Sequence, residues 1–194
     1  MGKGAKRRLM IQEQTKQLIY EKGYSSVTMS EIAARMDLST GGLYYHYHSV
    51  ESIVLDIFTN STTPIWDEVN SVTTFSECLN VLQSYFDHEK KDLLNFEFSI
   101  NNIIYQYFFS FPGMIRAEKM NEAYQNTLTN LSAMFSNYMK KEEALKISNH
   151  IYIVLHGLTS LAMTGSITED VINNEFQDII DELYKRYEEG GSAE

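Results

Sequence analysis

The chain has 194 residues, 43% of them hydrophobic and 22% charged, with a formal net charge of −10. That much apolar side chain offsets the entropy of ordering, which excludes a disordered chain. Two prolines and ten glycines disfavour a turn-rich β architecture, and the single cysteine, Cys78, rules out an internal disulfide or a zinc site built on several thiolates.

Leu9, Ile11, Leu18 and Ile19 fall in a stretch free of Pro and Gly, which predicts an amphipathic helix over about 5–22. Gly23 after Lys22 is a helix-stopping glycine. Thr28-Met29-Ser30-Glu31 is a capping box, and Ile32, Ala33 and Met36 give its short helix an apolar face. Asp37-Leu38 breaks that helix, since Asp is one of the few residues that tolerate a left-handed turn. Ser39 is the next N-cap, for a second short helix from Thr40 to about Tyr45. Ser49 opens a longer helix carrying Ile53, Val54, Ile57 and Phe58. Two helices this short bury too little to stand alone and need longer helices around them. That is the layout of a helix-turn-helix, whose second helix enters the major groove of DNA.

The remainder also reads as helix. Pro64 suits the first position of a new turn. Thr74-Phe75-Ser76-Glu77 is a second capping box, opening a helix to about Asp87. A helix over about 90–109 ends in Tyr105-Gln106-Tyr107-Phe108-Phe109 and is stopped by Pro112-Gly113. Further helices cover about 114–139, 141–164 and 168–188, and 189–194 is a flexible tail. No run reaches the roughly 20 apolar residues that span a bilayer, and the N-terminus lacks the apolar core of a signal peptide. The expectation is a cytoplasmic protein with no membrane partner and no cofactor.

Charge is unevenly placed. Residues 1–50 hold seven Lys and Arg against four Asp and Glu, whereas the rest holds nine against 22. A basic head on an acidic body suits a polyanion-binding segment. Lys6, Arg7 and Arg8 read either as a basic arm reaching a flanking minor groove or as a solvated tail.

Residues 28–53, TMSEIAARMDLSTGGLYYHYHSVESI, resemble the DNA-binding signature of the TetR family of transcriptional regulators. Thr28, Ile32, Ala33, Leu38, Ser39, Gly41, Leu43, Tyr44, His46 and Glu51 agree with the family pattern. Three positions depart from it: Asp37 replaces the turn glycine, Gly42 replaces a Thr, and Val50 replaces a Lys that typically touches a phosphate. His48 or the basic N-terminus could supply the missing contact.

The resemblance implies an all-α fold, with a helix-turn-helix DNA-binding domain over 1–48 and a helical ligand-binding and dimerisation domain over 49–188. DNA contacts fall on Thr28 and Ser39 through hydroxyls at helix starts, on Thr40 and Gly41 where base edges are read, with Gly41 and Gly42 letting the backbone come close, and on Tyr44, Tyr45 and His46 as phosphate and backbone contacts. Leu43, Ala33 and Tyr47 belong to the core. In the body, Trp66, Phe86, Phe96, Tyr105, Phe108, Phe109, Met114 and Tyr124 are candidates for an adaptable apolar ligand pocket or for plain core. Ile151, Leu155, Leu158, Phe176, Ile180 and Leu183 give two apolar stripes long enough for a homodimer interface. Glu97 reads as solvent-facing, Cys78 as a small core residue, and His46 and His48 would not share a helical face, so no metal site is expected. No catalytic constellation is present. The implied function is a homodimeric regulator, a repressor released from a near-palindromic duplex operator by a small, largely apolar effector. The competing reading is a helical small-molecule-binding protein or enzyme with no DNA role.

Overall fold

The structure, a computed structural model, describes residues 2–69 and 71–190, with the side chains of 62–67, 69 and 187–190 outside the description. The described residues are all-α. The helices are α1 (Lys3–Lys22), α2 (Met29–Arg35), α3 (Thr40–Tyr44), α4 (Val50–Val69), α5 (Phe75–Leu94), α6 (Ile100–Phe109), α7 (Gly113–Phe135), α8 (Lys141–Met163) and α9 (Glu169–Gly190). Single 3₁₀ turns lie at Tyr24–Ser26 and Phe96–Phe98. Among the described residues no helix is long and apolar enough to cross a membrane.

Packing divides the chain into two units, residues 1–64 with 97–121 and residues 65–96 with 122–194. They cut the chain elsewhere than at the expected residue 48, because Ile103 and Tyr107 are buried in one core with Ile11, Leu43 and Ile53.

In the first unit Ile11, Ile19, Ile32, Leu43, Ile53 and Ile103 are fully buried together. Local chemistry places them. Gly23 ends α1 at φ +83°, its N–H bonded to the Ile19 carbonyl at 2.8 Å, and the Gln106 side chain accepts the next N–H, that of Tyr24, at 2.8 Å. A side chain at 23 would be strained in that conformation. The expected capping box on α2 is formed: the Glu31 N–H donates to Thr28 Oγ1 at 3.3 Å and the Thr28 N–H to Glu31 Oε2 at 3.0 Å. Asp37 takes the left-handed conformation at φ +54°. Leu38 N–H then bonds the Ala33 carbonyl at 2.9 Å and Asp37 N–H bonds Ala34 at 3.3 Å, the paired bonds of a Schellman stop. Ser39 caps α3 by accepting the Gly42 N–H at 3.0 Å. A Cβ on residue 42 would sit 3.2 Å from that same hydroxyl oxygen, so glycine keeps this tight cap open.

The second unit is built from longer helices. Leu82, Phe86, Leu93, Leu131, Phe135, Ile151 and Ile172 are buried in one cluster, and Phe86 stacks on Phe176 with ring centroids 4.2 Å apart. Cys78 is buried there as expected, and burial pushes its thiol up to about 12. The second capping box, Thr74 with Glu77, is also formed.

Several element boundaries differ from expectation. α4 runs on through Pro64 to Val69; proline forfeits its own N–H bond but fits helical φ. α5 continues to Leu94 rather than ending near Asp87. Residues 87–91 are charged but contain no Gly or Pro, and Leu79, Leu82, Phe86 and Leu93 keep one buried stripe. The break falls instead at 95–99, where Asn95 Nδ2 donates back to the Lys91 carbonyl at 3.0 Å and Ser99 accepts the Asn102 N–H at 3.0 Å to start α6. α7 ends at Phe135, short of the expected 139. α9 reaches Gly190, so the expected tail begins inside it, and residues 191–194 lie outside the described residues.

Candidate nucleic-acid interface

The helix-turn-helix stands on α2 and α3. Leu43 turns inward and is fully buried, whereas Thr40 and Gly41 are exposed, Tyr44 is exposed and Tyr45 is 86% exposed. One buried anchor in a five-residue helix therefore leaves a continuous outer face. His46 is half-buried, with its ring edge-on to Tyr45 at 5.2 Å. Thr28 and Ser39 are exposed, and each already caps its helix. The turn, both caps and the outer face thus fall together as the sequence implied.

The cations are redistributed. Arg35 grips Glu21 with both terminal nitrogens, one at 2.7 Å, and Lys22 pairs with Glu31. Hydrogen bonds from these partners hold the Glu21 and Glu31 carboxyls below their ordinary values. Lys16 bonds Glu13 at 2.6 Å and Arg8 bonds Asp56 at 3.0 Å. Of the seven basic side chains in residues 1–50, these four are neutralised, leaving Lys3, Lys6 and Arg7 at the start of α1 without an acidic partner among the described residues. The structure places Lys6, Arg7 and Arg8 within that helix rather than on a loose arm. The acidic partners of Lys16, Lys22 and Arg35 stitch α1 internally and to α2, so much of the head's positive count serves folding.

A second polar cluster was invisible in sequence. Gln12, 6% exposed, donates from Nε2 to Asp56 Oδ2 at 2.7 Å and to the Tyr47 hydroxyl at 2.8 Å. Tyr47, expected in the core and 3% exposed, donates its hydroxyl to the same carboxylate oxygen. Burial alone would raise the Asp56 carboxyl; donors Tyr47, Arg8 and Gln12 outweigh it and hold it below the usual range. Beyond this cluster, Glu51 accepts from the Tyr107 hydroxyl at 2.7 Å and pairs with Lys119 at 3.3 Å, linking the start of α4 to α6 and α7.

The ligand candidates are not brought together. Phe86 is core, and half-buried Phe96 packs against that core. Tyr124 is half-buried, donates to Asn149 Oδ1 at 2.6 Å and sits edge-on to Tyr152 at 4.6 Å, with His156 next in the row. Tyr105 and Phe108 are half-buried in the first unit, Tyr105 stacked on Phe109. Phe109 is exposed beneath Arg116, and Met114 is 83% exposed. The Trp66 side chain lies outside the described residues. A cleft of about 470 Å³ runs between α1, α4 and α6 over Leu9, Met10, Ile57 and Ile100. None of the described candidates lines it. Glu97 is exposed, as read.

The dimer candidates are mostly internal. Ile151, Leu155, Leu158, Phe176 and Leu183 are buried in the second unit's own core, and Ile180 is half-buried against it. The apolar stripes are real but face inward, because α8 and α9 need them to hold α5 and α7. The outward apolar residues of the same helices include Ile153, 66% exposed, with Leu145, Leu161, Met163, Val171 and Tyr184.

Residues 11–57 match the family described as bacterial regulatory proteins, tetR family. Comparison with curated proteins finds no match. Solved structures similar to the chain include a TetR transcriptional regulator from Legionella pneumophila, at 19% identity and TM-score 0.62, over 88% of this chain and 93% of that one. A SmeT–triclosan complex is similar at 14% identity and TM-score 0.65, over 92% and 90%. NalD, described as the secondary repressor of the MexAB-OprM multidrug efflux pump in Pseudomonas aeruginosa, is similar at 12% identity and TM-score 0.62, over 93% and 95%. At these identities the likeness is one of fold.

Proposed function

We propose that the chain, whose residues 11–57 match the tetR family of bacterial regulatory proteins, is a homodimeric repressor released from a near-palindromic operator by a small apolar ligand. The observation that carries the reading is the outer face of α3, exposed at Thr40, Gly41, Tyr44 and Tyr45 while Leu43 alone anchors it.

Thr40, Gly41 and Tyr45 meet base edges, with Gly42 letting the backbone come close. Thr28, Ser39, Tyr44 and His46 meet phosphates, which fix register without reading sequence. Lys6 and Arg7 add sequence-independent attraction. Two such heads in a two-fold dimer reach successive major grooves about 34–36 Å apart. The outward side chains Ile153, Leu161, Val171 and Tyr184 are the apolar surface on which α8 and α9 of two copies meet. Phe96 and Tyr124 are the ligand-facing candidates of the second unit, and the triclosan held by SmeT supports an apolar, aromatic effector. The ligand acts only as far as it prefers a dimer whose heads miss the grooves. Operator occlusion in the cytoplasm then gives repression.

The test uses a duplex that the protein enriches from a randomised pool. Binding is to weaken steeply with added salt, as phosphate contacts require. A Tyr45→Ala, His46→Ala double variant is to lose more than about tenfold in affinity for that duplex while staying folded and dimeric. Unchanged affinity refutes the assignment of α3. For the effector, triclosan added to the protein–duplex complex is the first probe, and release with a raised unfolding temperature is the expected result.

A further inference from the structure

We propose that Arg8, Gln12, Tyr47 and Asp56 form a clamp that sets the angle of α3 in the groove, and that Arg8 serves DNA binding by positioning rather than by touching phosphate. The inference rests on reading α3 as the groove-entering helix.

α3 has no stem of its own. It is five residues long, held from inside by Leu43 and at its start by the Ser39 cap. Residues Tyr45 to Ser49 join it to α4 with no helical continuity. The clamp closes on that joint. The Tyr47 ring lies under the Arg8 guanidinium, whose Cζ is 4.4 Å from the ring centroid. Arg8 Nη1 donates to the His46 carbonyl at 3.4 Å, and Nη2 bonds Asp56 Oδ2 at 3.0 Å. That one carboxylate oxygen also gathers the Tyr47 hydroxyl and Gln12 Nε2. Gln12 is fixed in turn, its Oε1 accepting from Asn60 Nδ2 at 3.2 Å. Donors from α1 and from the α3–α4 joint therefore converge on a single acceptor of α4.

Two physical points make this a positioning device. Tyr47 and Gln12 are buried, so neither can reach DNA, and their hydrogen bonds gain nothing for binding except through geometry. Base readout tolerates little displacement, because hydrogen bonds weaken steeply outside a narrow range of distance and angle. A small tilt at the Tyr45–Ser49 joint moves Tyr45 and Thr40 off base edges, while phosphate attraction, which is sequence-independent, survives it. Arg8, with its charge already spent on Asp56, is a poor phosphate contact and a good strut.

The experiment compares the parent, Tyr47→Phe and Arg8→Gln on the duplex enriched by the parent and on a scrambled duplex of equal length, across a salt series. Tyr47→Phe keeps the buried ring and removes only the hydroxyl, so it tests the clamp without emptying the core. Unfolding curves and dimer mass confirm that each variant is folded. The expected result is a loss of about tenfold or more on the enriched duplex, a change under about twofold on the scrambled one, and an unaltered salt slope for both variants. A role confined to stability would lower the unfolding temperature and leave the ratio of the two affinities untouched, which overturns the clamp. A salt slope reduced by about one for Arg8→Gln makes it a phosphate contact and also overturns it. A parent with no preference for any duplex overturns the groove reading, and the clamp falls with it.

Discussion

In the first unit the shortest helices, α2 with seven residues and α3 with five, are held at their ends by side chains: Thr28 and Glu31, Ser39, the Asp37 turn and the Asp56 cluster. In the second unit the 23-residue α8 and the part of α7 from residue 122 on are held along their flanks by Leu131, Phe135, Ile151 and Leu155 against α5 and α9. The difference comes from length. A short helix offers few apolar positions and leaves most of its backbone groups at open termini, so caps and ion pairs carry a large share of its stability. A long helix satisfies itself along its backbone and needs only a continuous buried stripe.

The comparison breaks hardest at Phe86. Phe86→Ala removes the ring stacked on Phe176 and is expected to cost about 3–5 kcal/mol in thermal or denaturant unfolding. A loss below about 1 kcal/mol would mean that this core is not where the second unit is held. At the head, Thr28→Ala opens the capping box and is expected to cost about 1 kcal/mol, with amide exchange in α2 rising first. Asp37→Gly acts in the other direction: it relieves the positive φ and raises stability by up to about 1 kcal/mol, with duplex affinity unchanged. The smallest effect is one of pH. The Asp56 carboxyl is held below its ordinary value by its three donors. Its contribution is full above the ordinary carboxylate value of about 4 and is lost as pH falls through the depressed folded value. Unfolding temperatures of the parent and Asp56→Asn should therefore converge as pH drops from about 7 to about 3. A gap constant over that range would show that the carboxylate's charge is irrelevant.

The sequence spoke most clearly where structure is local. The caps at Thr28, Ser39 and Thr74, the left-handed Asp37 and the buried Leu43 each depend on neighbours within a few residues. The break at 95–99 is hidden in sequence because Asn95 and Ser99 compete with a louder charged run at 87–91. The Arg8–Asp56 pair is hidden in sequence because 48 residues separate its members, and nothing near either announces the other. The inward turn of Ile151, Leu155 and Phe176 was hidden for a related reason: periodicity finds an apolar stripe but not the surface it meets. The ligand candidates share only a residue type, and type does not say which aromatics share a wall.

Gly41 has a consequence for engineering. A Cβ built there meets nothing within 4 Å, and its backbone lies in an ordinary helix at the exposed start of α3. A longer side chain at this place has room in the free protein and points toward whatever the outer face meets. Asn, Gln or Arg introduced at 41 can each offer a bidentate match to a particular purine. On the proposed groove reading of α3, the position is therefore a free socket, through which the preferred base pair could be rewritten without disturbing the scaffold that presents it.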